Sequence, residues 1–63
     1  MSSKRILIVE DERIVAEDLE LLLTNIGHTV VGIADTGEGA IRLAREYSPD
    51  LIMMDISLFG ELR

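Results

Sequence analysis

Four acids frame the chemistry of this chain. Glu10, Asp11 and Glu12 follow directly on the apolar run Ile6-Leu7-Ile8-Val9, and Asp55 closes the run Leu51-Ile52-Met53-Met54. A carboxylate just past an apolar run of strand length stands at the carboxyl edge of a sheet, where open α/β sheets bind their ligands. If the two runs are neighbouring parallel strands, Glu10, Asp11 and Asp55 share one crevice. Like charges that close repel unless a cation neutralises them. Oxygen ligands without histidine or cysteine favour a hard cation, and Mg²⁺ with retained waters suits two or three carboxylates. Such a cation would hold Asp55 ionised and clamp an incoming phosphoryl group, so that an aspartate oxygen acts as nucleophile and forms an acyl phosphate. Taken singly, each acid reads equally well as a helix cap or a solvated turn residue. Only the combination carries the chemistry.

The elements that must position these acids follow from the hydrophobic pattern. Residues 5–10 form a strand whose run Ile6-Leu7-Ile8-Val9 is β-branched and continuously apolar, of the kind buried on both faces of a parallel sheet. Over 13–26 the period changes: Val15, Leu19, Leu22, Leu23 and Ile26 recur at helical spacing, with Glu17, Asp18 and Glu20 largely opposite. Gly27 is placed to end that helix in a left-handed cap. A second strand spans 28–34, and a second helix spans 36–47 with Asp35 or Thr36 as its N-cap and Ala40, Leu43, Ala44 and Tyr47 as its apolar stripe. Pro49 ends it, and the third strand covers 51–55. Each crossover is long enough for a helix, so the strands are parallel and the crossovers right-handed. The order β-α-β-α-β is half of a doubly wound α/β sheet.

Composition narrows the class. The chain has 63 residues, of which 48% are apolar, and no cysteine. A domain of about 60 residues buries only about 60% of its unfolded surface. So much apolar content in so short a chain suits a piece of a larger core, and the expectation is a half-domain cut after its third strand. The net charge of −6 disfavours direct binding to nucleic acid. No apolar run reaches the roughly 20 residues of a membrane span. No signal-peptide pattern opens the chain, which gives a cytoplasmic expectation. The lone His28 cannot build a histidine metal cluster.

The run Ile6-Leu7-Ile8-Val9-Glu10-Asp11-Glu12 with its following acidic amphipathic helix resembles the opening of a response-regulator receiver domain. The run Pro49-Asp50-Leu51-Ile52-Met53-Met54-Asp55 is similar to the phosphoacceptor strand of that family. The resemblance implies a flavodoxin-like, three-layer doubly wound fold, with strand order 2-1-3 in the half present here. It implies that Asp55 takes a phosphoryl group from the phosphohistidine of a histidine kinase. It implies direct ligation of Mg²⁺ by Asp11, Asp55 and the backbone carbonyl of Ser57, with Glu10 acting through water. Arg13, Ile14 and Glu17 on the first helix are the implied kinase contacts. A receiver is a signalling module, not a turnover enzyme. The Ser or Thr after strand 4, the aromatic residue on strand 5 and the Lys after strand 5 have no counterpart in these residues. Loss of one preorganised electrostatic group costs on the order of 10²–10³ in rate.

Two rivals are weaker. Gly37-Glu38-Gly39 suggests a nucleotide loop, but Arg42 stands where a third glycine would fall, and the glycines follow the second strand. Asp55-Ile56-Ser57-Leu58-Phe59-Gly60 has the outline of a cobalamin site, yet Ser57 replaces the axial histidine such sites need. The serious alternative is a truncated half-domain without signalling competence. Its third strand would be an apolar, unpaired edge that pairs with a second copy, giving a homodimer or higher oligomer with strand order 2-1-3-3-1-2.

Overall fold

The computed structural model describes residues 3–54. It contains β1 (Arg5–Val9), α1 (Arg13–Asn25), β2 (Thr29–Ala34), α2 (Gly37–Tyr47) and β3 (Leu51–Met54). The three strands are parallel, as the crossover lengths predict, and lie in the order β2-β1-β3, as the family resemblance implies. β1 is the central strand, and both faces of its apolar run are covered. Ile6, Leu7, Ile8 and Val9 are each 1% exposed or less, and burying such a side chain contributes about 1.5–3 kcal/mol.

Alternation along β1 divides the core into two layers. Ile6 and Ile8 pack with Ala16 and Leu23 of α1, together with Leu19, Val30 and Met53. Leu7 and Val9 pack on the other face with Ala34 and Ala40, and with Val31, Leu43 and Ala44. Both helices rest over β1 and β2. β3 is the exception: Leu51, Ile52 and Met54 remain 49%, 42% and 46% exposed.

Local hydrogen bonds set each boundary, and the elements are slightly shorter than the hydrophobic pattern alone suggests. α1 ends at Asn25, because Ile26 and Gly27 form a turn in which Gly27 N donates to Thr24 O and His28 N to Leu23 O. This is a Schellman cap, and Gly27 takes the left-handed φ of 100° that it requires. The same turn engages the His28 amide, so β2 starts at Thr29 and not at 28. Thr36 is the N-cap of α2, its Oγ1 accepting from Gly39 N at 3.0 Å, so the helix begins at Gly37. Gly39 belongs to this cap, since a Cβ there would stand 3.2 Å from Thr36 Oγ1. α2 closes on Ser48, left-handed at φ 47°, one residue before Pro49.

The α1 stripe needs correction. Leu23 is buried and Leu19 partly so, but Val15, Leu22 and Ile26 are 38%, 57% and 55% exposed, while Ala16 is buried in their place. α1 lies over β1 and β2, so only the part of its apolar arc turned to those strands meets a partner. The small Ala16 lets the helix approach the sheet closely. In α2 likewise, Ala40 is buried, but Tyr47 is 39% exposed.

The start of β3 is tied to the start of β1. Asp50 N donates to Arg5 O at 2.7 Å, and Asp50 Oδ2 accepts from Arg5 N at 2.8 Å. Arg5 Nη1 donates to Ser48 O at 2.9 Å. This clamp sets the β1–β3 register, from Ile6 opposite Leu51 to Val9 opposite Met54. Asp50→Ala removes the side-chain acceptor and is expected to cost about 1 kcal/mol, read as a lower urea midpoint. Asp50→Asn keeps an acceptor and is expected to retain most of that stability.

Candidate functional site

The site is built where β1 stops. Beyond Val9 the chain passes into Glu10, whose amide donates to Ala34 O at 2.9 Å, so the end of β2 fixes the exit of β1. Glu10 is only 3% exposed. One of its carboxylate oxygens, Oε1, accepts from Glu12 N at 3.0 Å. A buried carboxylate is tolerable when hydrogen bonds take up its lone pairs, and the tight 10–12 turn supplies such a bond. Asp11 is exposed beside it. Glu12 is the N-cap residue of α1 but makes no side-chain cap; its carbonyl accepts from Ala16 N at 2.9 Å.

The register delivers the other strand end to the same place. Val9 pairs with Met54, so β3 is described up to a point abreast of the β1 exit, one residue before Asp55. Asp55 and Ser57 lie outside the described residues. Of the four predicted site residues the structure therefore places Glu10 and Asp11, adjacent and at the carboxyl edge.

Around the acid pair is a cavity of about 330 Å³ lined by Glu10, Asp11, Arg13, Glu17, Glu20 and Asp35, with Ala16 and Ile33 as its apolar floor. Arg13 Nε lies 3.3 Å from Glu17 Oε2 across one turn of α1. Asp35 and Glu20 are members that the sequence pattern does not single out as site residues. Asp35 follows β2 as Glu10 follows β1, and that shared position is the signal that finds it.

Among the described residues, no group of three or more His, Cys, Asp or Glu side chains is arranged to hold a metal ion. Glu10 and Asp11 are a pair of hard oxygen donors, one held by a backbone amide and one open to solvent. Such donors suit Mg²⁺, which dehydrates reluctantly and takes one or two carboxylates along with its waters. No described helix is long and apolar enough to cross a membrane.

Comparison with known proteins adds a family. The model of the response regulator receiver domain matches residues 6–61. The transcriptional regulatory protein YdfI of Bacillus subtilis is 47% identical over 53 residues, which cover 82% of this chain and 25% of YdfI. The phyllosphere-induced regulator PhyR of Methylorubrum extorquens is 48% identical over 54 residues, 84% of this chain and 20% of that protein. The crystal structure of the anti-anti-sigma factor PhyR complexed with the anti-sigma factor NepR, from Bartonella quintana, superposes with a TM-score of 0.84 at 30% identity. That match covers 95% of this chain and 28% of the PhyR chain. The chain thus spans between a fifth and a third of the length of these relatives.

Proposed function

The chain belongs to the response regulator receiver domain family, and from that premise we propose that Asp55 is its phosphoacceptor. The donor is the phosphohistidine of a histidine kinase. A carboxylate oxygen of Asp55 attacks phosphorus, the P–N bond breaks, and the imidazole leaves with the electron pair and takes up a proton. The product is an acyl phosphate on Asp55, with the donor histidine returned to its neutral form.

The observation that supports this reading is the β1–β3 register, in which Met54 stands opposite Val9, the residue before Glu10 and Asp11. Asp11, Asp55 and the carbonyl of Ser57 are the proposed direct ligands of Mg²⁺, and Glu10 acts through a water. When bound, Mg²⁺ supplies charge neutralisation for the carboxylates and for the incoming phosphoryl oxygens. The chain's own contribution is preorganisation: Glu12 N holds Glu10, and Ala34 O holds the turn that presents Asp11. Output we assign to the rest of longer proteins of this kind, transcriptional regulation for a YdfI-like parent and anti-sigma factor binding for a PhyR-like one.

Intact mass after incubation with Mg²⁺ and acetyl phosphate tests the acceptor directly. The expected result is a Mg²⁺-dependent gain of one phosphoryl group that Asp55→Asn abolishes. A folded chain that gains none, or an Asp55→Asn variant that still gains one, would overturn the assignment.

A second reading rests on β3, apolar on both faces and half-exposed although it belongs to a parallel sheet. Parallel sheets are ordinarily covered on both faces, and an unprotected edge is a template for another strand. We propose that the 63-residue chain on its own self-associates through β3. Sedimentation velocity should show a dimer or larger species that grows with concentration. A monomer at all concentrations contradicts this reading and leaves the first intact.

A further inference from the structure

His28 stands at the start of the sheet, opposite the end that carries the acids, and its side chain takes a place usually filled by backbone. Lys4, just before β1, donates its N–H not to a strand carbonyl but to His28 Nδ1, at 3.0 Å. Its carbonyl accepts from Thr29 N at 2.9 Å. Two neighbouring residues at the entrance of β2 thus take up both backbone groups of Lys4. The half-buried His28 is itself anchored, because its own N–H donates to Leu23 O at 2.9 Å in the α1 cap.

On the β3 side the matching role falls to Asp50, whose Oδ2 accepts from Arg5 N at 2.8 Å. The two amides at the entrance of β1 therefore depend on two side-chain acceptors of different chemistry. A carboxyl group keeps an acceptor oxygen whether or not it holds a proton. An imidazole accepts at Nδ1 only while neutral, with its proton on Nε2; the imidazolium has two donors and no acceptor. Of the two ties, only the one to His28 is broken by a proton.

The adjoining elements offer an imidazolium no anion. Lys4 and Arg5 at the entrance of β1 are cations, and the last turn of α1 and all of β2 contain no charged residue. The α1 carbonyls of Leu22, Leu23 and Thr24 are already engaged by the amides of Ile26, His28 and Gly27.

We propose that His28 is a proton-operated latch on the entrance of β1. Neutral, it holds Lys4 against β2. Protonated at Nδ1, it presents a donor to the Lys4 N–H and releases it, while the bond from Thr29 N to Lys4 O keeps the strands in register. The stability this bond contributes is present while the ring is neutral and is lost as pH falls through the titration of the imidazole. Histidine changes charge between about pH 5 and 8, so the latch works in the physiological range.

The test is a series of amide spectra of the uniformly labelled 63-residue chain, from about pH 8 to about pH 5. The Lys4 amide is expected to shift along the same curve as the His28 ring protons. Its protection from hydrogen exchange, corrected for the intrinsic pH dependence, should fall about fivefold at the acid end, the worth of one net hydrogen bond. His28→Asn supplies an amide oxygen that accepts at every pH, and should keep Lys4 protected with no titration. His28→Phe should leave Lys4 weakly protected throughout, while Thr29 N, bonded to a backbone oxygen, stays protected in all three chains. A Lys4 amide that ignores the His28 titration in the wild-type chain, or that titrates equally in His28→Asn, would overturn the latch.

Discussion

The structure depends on one constraint: β1 must be buried on both faces and paired on both edges. Its four consecutive apolar residues are each 1% exposed or less, and β1 is the central strand, with β2 and β3 beside it. Once β1 is central, its exit is held on one side by the end of β2, through the bond from Glu10 N to Ala34 O. On the other side it is flanked by the end of β3. The acids at 10 and 11 are thereby committed to one edge of the sheet, whatever the helices do.

The helices then decide what surrounds that edge. α1 starts two residues after Asp11 and turns Arg13, Glu17 and Glu20 toward the cavity while Ala16 and Leu23 anchor it to the sheet. α2 packs on the other face through Ala40, Leu43 and Ala44. Neither helix is seated over β3, which accounts both for the apolar groove formed by Ala40, Ile41, Ala44, Ile52 and Met54 and for the exposed arc on α1. The site is accordingly acidic at the end of β1, and apolar and exposed along β3.

Much of this was legible in the residues. The change from a continuous apolar run to helical spacing marks every element, and Gly27 and Thr36 mark a helix end and a helix start through the cap chemistry they perform. Glu10 and Asp11 were legible because carboxylates after a buried run have few other places to be. What escaped depends on distance in sequence. The clamp between Arg5 and Asp50 joins residues 45 apart, and neither residue carries a pattern that names the other. The core role of Ala16 escaped because a small side chain gives a weak hydrophobic signal, although its size is what admits the helix. Val15, Leu22 and Ile26 read as core because amphipathicity tells which arc is apolar, not which part of that arc a neighbour covers. The family resemblance implies a kinase contact for Arg13, and the fold also places it in the lining of the acidic cavity.

The central claim is that the β1 and β3 strand ends form one cation site. Substituting Mn²⁺ for Mg²⁺ and recording amide signals of the uniformly labelled chain tests it most directly, because the paramagnetic ion broadens its neighbours. The account predicts broadening of the 10–12 amides together with those of residues 54–57, with Lys4, Arg5 and the last turn of α2 unaffected. Broadening confined to Glu17, Glu20 and Asp35, with residues 54–57 sharp, would contradict it.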